Sequence, residues 1–150
     1  MAIRNIVKIG DDILRKKCRT QLTFDDKLAM ILDDMAETMY KAEGVGLAAP
    51  QIGILRRFCV VDVGDGLIEL INPVITEASG LQTGSEGCLS VPDRFEDVER
   101  PMTVTVCAQD RHGNNITITA EGFKARAFCH EIDHLDGTLF IDKIKNKLKR

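Results

Sequence analysis

Residues 130–134 read His-Glu-Ile-Asp-His, two imidazoles four positions apart with a carboxylate directly after the first. On a helix, positions i and i+4 lie about 40° apart around the axis, so His130 and His134 can aim ring nitrogens at one divalent cation. Glu131 falls to the side, where it can reach water beside the ion without being a ligand. That is the general-base position of metal-dependent hydrolases with this spacing. The flanking Ala127, Phe128, Ile132 and Leu135 are apolar and should face a core, where unpaired imidazoles are disfavoured. A chance pair on a solvated helix therefore fits the segment poorly.

A hydrolytic metal site usually takes three protein ligands and keeps one position for water. The familiar downstream completions fail. The place of a third histidine after Gly137 is held by Phe140, no glutamate follows Glu131, and Asp133, Asp136 and Asp142 are too near in sequence to fold back. The third ligand must come from upstream. His112, between Arg111 and Asn114, reads as an exposed turn residue. Cys129 points about 100° away from His130 around the helix and reads as core. Cys59 and Cys107 lie in apolar strands, where a buried, inert thiol is the default. Cys18, among Arg15, Lys16, Lys17 and Arg19, reads as surface. Cys88 differs from these. In "GSEGCLSVPDRF" it is flanked by Gly84 and Gly87, which relax the backbone enough to hold a thiolate toward a neighbouring helix. Cys88 is the chosen ligand.

The elements that must position these groups are legible in outline. "TFDDKLAMILDDMAETMYKAEG" places Leu28, Ile31, Leu32, Met35 and Met39 at helical spacing, with Thr23 the expected N-cap and Gly44 and Gly46 the stop. Strands are expected at "FCVVDV", "LIELINPVI", "MTVTVCAQD" and "NITITA", the last two joined by a hairpin turn at residues 111–114. Gly122 opens a second amphipathic helix, "FKARAFCHEIDHL", which Gly137 ends. The expected fold class is α+β: antiparallel or mixed sheets packed around a central C-terminal helix carrying HEIDH, plus an N-terminal helix.

The 150 residues suit one domain, 1–150, and no repeat or linker interrupts them. Twenty basic against 23 acidic residues give a net charge of −3, which argues against broad or specific nucleic-acid binding. No segment is apolar enough for a signal peptide or a bilayer span, so a cytoplasmic protein without membrane contact is expected. Five cysteines, an odd number with no CxxC pair, suit thiols in a reducing compartment.

Three segments together resemble the peptide deformylase family: "GVGLAAPQIG" (residues 44–53), "EGCLS" (86–90) and "HEIDH" (130–134), in the family's order and near its spacing. The flanks "VPDRFEDVERP" and "GTLFIDKI" fit as well. Cys129 stands where the family commonly has Gln, and "KIGDDIL" replaces its usual His-Pro near the N-terminus. The resemblance implies that Cys88, His130 and His134 bind the metal and that Glu131 acts as acid and base. It further implies that the Gln51 amide and the Leu89 N–H stabilise the oxyanion; Gln51 alone would read as a polar residue after Pro50. The implied activity is removal of the formyl group from the formyl-Met N-terminus of nascent chains. The methionine side chain would pack against Val45, Phe123 and Ala127 beside His130, with ordinary core packing the alternative for Val45 and Phe123. The substrate backbone would pair with the Gly44–Gly46 and Glu86–Gly87 segments.

One thiolate and two imidazoles by themselves suggest zinc. The resemblance implies Fe²⁺ physiologically, with Zn²⁺ or Ni²⁺ in purified protein. A blue-copper centre would leave Glu131 idle. Two other functions compete: a small zinc endopeptidase, which lacks the usual third ligand, and a structural zinc staple, which lacks a fourth. The basic tail "KIKNKLKR" (143–150) reads as a solvated end with weak electrostatic attraction to the ribosome as its further role.

Overall fold

The computed structural model describes residues 2–144, so most of the basic tail lies outside the described residues. Helix α1 (Asp26–Lys41) begins where the Asp25 carboxylate accepts the Leu28 N–H at 3.0 Å. Asp25 is thus the cap, in place of the expected Thr23: a cap must stand three residues before the free N–H it accepts, and an anion suits the positive end of the helix. Leu28, Leu32, Met35 and Met39 form its buried face. The Gly44 N–H returns to the Met39 carbonyl at 2.9 Å and closes the helix end. Gly46, expected to help stop the helix, instead begins strand β1 (Gly46–Ala48).

The central sheet has five strands, all antiparallel, in the order β1–β2–β3–β6–β7. The four sequence-expected strands supply β2 (Phe58–Val61), β3 (Ile68–Ser79), β6 (Thr103–Gln109) and β7 (Asn115–Glu121). The β6–β7 turn forms as expected, with the Asp110 side chain accepting the His112 and Asn114 N–H groups at 2.9 and 3.0 Å. Because successive side chains alternate across a strand, β2 serves two cores. Phe58 and Val60 join α1 and Ile71, while Cys59 and Val61 join Phe128, Ile132 and Leu135 of helix α2 (Phe123–Leu135). That two-sided burial explains the unbroken apolar run "FCVV". No helix among the described residues is long and apolar enough to cross a membrane.

The "GSEGC" region is not a relaxed loop. It is strand β4 (Gln82–Cys88), hairpinned with β5 (Val91–Arg100) as a separate two-stranded sheet. A third apolar cluster holds this hairpin to the body: Val91 and Val98 pack with Leu14, Leu139 and Phe140. Two cysteine readings are corrected. Cys18 is 4% exposed, its N–H bonds to the Leu135 carbonyl at 2.8 Å, and burial pushes its thiol up to about 11. Its basic neighbours point to solvent while the thiol joins the α2 core. Cys107 is only half-buried, because β6 turns it to the outer face of the sheet beside Thr76 and Thr117.

Candidate metal centre

Helix α2 opens at Gly122, whose φ of 64° is costly for other residues, and it lies against β1, β2 and β7. Its inward face carries His130 and His134, with ring centroids 5.1 Å apart. The end of β4 brings Cys88 to the same point. One donor atom from each of Cys88, His130 and His134 falls within a 4.8 Å cluster, with Cys88 Sγ 3.3 Å from His134 Nε2. Nitrogen, nitrogen and sulfur at this separation suit a transition-metal ion, and no fourth His, Cys, Asp or Glu joins them among the described residues.

His130 is held by a buried charge network. Its Nδ1 lies 2.8 Å from Glu86 Oε1, which leaves Nε2 to face the cluster. Glu86 accepts two hydrogen bonds from Arg100, both 2.8 Å, and one from Arg126 at 2.6 Å; Arg100 also reaches Asp133 at 2.6 Å. Burial alone would raise the Glu86 carboxyl. The hydrogen bonds from Arg100 and His130 outweigh that and hold it far below the usual carboxylate range. His130 shows the same opposition: burial disfavours its charge, but the Glu131 carboxylate and the bonds to Cys88 and Glu86 push it up to about 10. His134, buried beside positive neighbours, is driven well below its ordinary value. A cation at this site must displace the His130 proton, so binding strengthens as pH rises.

Glu131 is buried against β1. Burial raises its carboxyl to about 7, with the charge on His130 acting to lower it. A Cβ at Gly46 would lie 2.4 Å from Glu131 Oε2, so the carboxylate occupies space that exists only because residue 46 is glycine. Gln51, in a short 3₁₀ turn after β1, has its side-chain carbonyl fixed by the Ala48 N–H at 2.9 Å. Its NH₂ therefore points to Ser90 Oγ at 3.1 Å and Cys88 Sγ at 3.6 Å.

A cavity of about 650 Å³ opens onto these groups. Cys88, His130, Glu131, Gln51 and Leu89 line it, as do all the expected substrate residues: Gly44, Val45, Gly46, Glu86, Gly87, Phe123 and Ala127. His134 is buried behind the wall. Val45 and Phe123 are 40% and 54% exposed, which removes the core-packing alternative for them. Glu86 borders the cavity through its strand, while its side chain is committed to the charge network. Sequence reasoning overlooked Arg100, Arg126 and Ser90. The available signal was Arg126 itself, a cation among the apolar positions of α2 that needed a buried partner.

Comparison with known proteins agrees with this geometry. The family profile for polypeptide deformylase matches residues 3–150. The peptide deformylase of Caldicellulosiruptor bescii is 56% identical over 144 residues, covering 96% of this chain and 87% of that protein. That of Caldanaerobacter subterraneus subsp. tengcongensis is 57% identical over 144 residues, covering 96% and 91%. Among solved structures, the Thermotoga maritima peptide deformylase superposes with a TM-score of 0.94 at 44% identity, over 95% of this chain and 98% of the other. The Synechococcus elongatus peptide deformylase, in complex with actinonin, gives 0.93 at 41% identity, over 97% and 81%. With this profile, these identities and this fold, the chain belongs to the polypeptide deformylase family, metal-dependent hydrolases that remove the formyl group from the N-terminus of new polypeptides.

Proposed function

We propose that residues 1–150 form one catalytic domain in which Cys88, His130 and His134 hold a divalent cation, Fe²⁺ in the cell. Zn²⁺ or Ni²⁺ would take its place in purified preparations. The substrate is the formyl-Met end of a nascent chain, and the products are formate and a free N-terminal amine. The observation that carries this reading is the convergence of one cysteine sulfur and two imidazole nitrogens at the wall of a cavity that the buried Glu131 carboxyl also lines.

A bound divalent ion supplies Lewis acidity, polarising the formyl carbonyl and acidifying water. Glu131 takes the proton of the attacking water and delivers it to the departing amine; burial raises its carboxyl and a neighbouring cation opposes that rise, so the group can both accept and return a proton. Gln51 offers a pre-aimed N–H beside Cys88, and the Leu89 N–H is the second donor to the oxygen on which charge develops. Each is worth about 3 kcal/mol of barrier. Val45, Phe123 and Ala127 receive the methionine side chain. The peptide backbone runs along Gly44–Gly46 and Glu86–Gly87 as an added strand.

The deciding experiment is anaerobic purification, metal analysis and assay on formylated and unformylated Met peptides, with Glu131→Gln in parallel. The variant should keep its metal and lose about 10²–10⁴-fold in kcat. Metal loss in that variant would put Glu131 among the ligands, and cleavage of the unformylated peptide would mark an endopeptidase. We place the enzyme in the cytoplasm, with the five basic residues of "KIKNKLKR" drawn weakly to the ribosome. Absence of co-sedimentation with ribosomes at low salt would dismiss that contact.

A further inference from the structure

The two donors proposed for the developing oxyanion stand on separate supports. Gln51 lies in the 3₁₀ turn after β1, at the edge of the five-stranded sheet. Leu89 lies in the turn between β4 and β5, where Cys88 pairs with Val91. Among the described residues, no strand pairing joins the two sheets. Preorganised donors act only from a fixed position, and a misplacement of about 1 Å can cost roughly 10²-fold in rate. A hairpin turn is otherwise among the parts of a sheet most free to move.

Residues 7–9 close this gap. The Val7 N–H donates to the Gln51 carbonyl and the Ile9 N–H donates to the Ser90 carbonyl, both at 2.7 Å. Both lie at the short end of the N–H···O range. Between them, the Lys8 ammonium reaches the Leu89 carbonyl at 3.3 Å. Alternate N–H groups of one short stretch thus grip both turns. The half-buried Val7 side chain anchors that stretch on the Leu14, Val91 and Val98 cluster that holds the hairpin. Inside the grip, the Gln51 amide donates to the fully buried Ser90 Oγ at 3.1 Å.

We propose that residues 7–9 form a positioning strap for the oxyanion donors: the Val7 and Ile9 N–H groups lock the Leu89–Ser90 turn to the Gln51 turn and so set the spacing between the Gln51 amide and the Leu89 N–H. The inference rests on the proposed roles of Gln51 and Leu89, and a Gln51→Ala arm separates its failure from theirs.

The test measures kcat, KM and metal content of the metal-loaded enzyme on a formyl-Met peptide. Ile9→Pro removes the Ser90 tie at a residue that is 43% exposed, so little packing is lost. It should lower kcat about tenfold or more, with KM within about threefold and metal retained. Asn5→Pro, at an exposed residue whose N–H makes no hydrogen bond among the described residues, is the control and should stay within about twofold. In a Gln51→Ala background the Ile9→Pro loss should shrink below about threefold, because the spacing no longer matters once one donor is absent. Hydrogen exchange across the Cys88–Val91 turn should quicken about tenfold in Ile9→Pro and not in Asn5→Pro. If the proline variant does not fold, joining a synthetic 1–17 segment, with an ester in place of the residue 9 amide, to the rest of the chain at Cys18 removes the same N–H and keeps the side chain. Equal kcat in Ile9→Pro and Asn5→Pro, unchanged exchange at the turn, loss of metal, or an undiminished Ile9→Pro loss in the Gln51→Ala background would each overturn the strap, with the deformylase reading left standing. Gln51→Ala alone should lower kcat about 10²-fold. Full activity there would remove the oxyanion assignment and the strap that serves it.

Discussion

The five-stranded sheet and the β4–β5 hairpin are both antiparallel and both end at the metal centre, yet they are held by different forces. In the sheet, Phe58, Val60 and Ile71 face α1 while Cys59, Val61 and Leu70 face α2, and burial of apolar area does the work. The hairpin reads Gln-Thr-Gly-Ser-Glu-Gly-Cys against Val-Pro-Asp-Arg-Phe-Glu-Asp-Val-Glu-Arg. Val91 and Val98 fix it to the body on either side of Glu86, which is itself held by Arg100 and Arg126. The sheet supplies a rigid floor for Glu131. The hairpin supplies Cys88 and the anion that orients His130. Where a site needs a fixed charge, the chain accepts a polar, weakly patterned strand and satisfies it with buried partners.

Breaking the hairpin's contribution at the metal should have the largest effect. Cys88→Ala should lose its metal by elemental analysis and about 10³-fold or more in kcat/KM, with a melting curve that still shows a folded protein. A fully active alanine variant would refute the ligand assignment. Next come paired stability measurements. Leu70→Ala, a pure sheet change, should cost about 2–5 kcal/mol by denaturant unfolding with the apparent metal affinity of the folded protein unchanged. Glu86→Gln should cost about 3–5 kcal/mol, because it strands buried guanidinium groups, and should also weaken metal binding about 10–100-fold. Equal metal affinity in the two variants would mean that sheet and hairpin support the metal centre alike.

A smaller effect tests the sheet's role as floor. Gly46→Ala places a methyl group into the Glu131 carboxylate and should lower kcat about 10²-fold with metal retained. Unchanged kcat would mean that Glu131 can move without consequence. The mildest probe compares Cys59 and Cys88, one strand thiol from each region. Cys59 is fully buried and its thiol is pushed well above the ordinary value, so it should resist alkylation until unfolding. Chelation should expose Cys88 to the reagent while leaving Cys59 protected, read by mass spectrometry of the labelled peptides.

What the sequence determined by itself follows from local periodicity. The α1 face, the unbroken run of β2, the alternation of β6 and the one-face placement of His130 and His134 all depend on spacing along a single element, and spacing is written in the chain. Cys88, which the structure brings beside the two imidazoles, stood out among the upstream candidates only by its glycine-flanked segment and by the resemblance. The hairpin was not legible: without apolar alternation, β4 looks like a glycine-rich loop, and its pairing depends on β5 and on distant Val98 and Phe140 contacts. The burial of Cys18 under basic neighbours was hidden for the same reason, because the Leu135 carbonyl and the α2 core that enclose it are more than a hundred residues away in sequence. Tertiary structure alone decided the Glu86–Arg100–Arg126–His130 network. A buried charge is tolerated only with partners from other elements, and only folding determines which of them arrive.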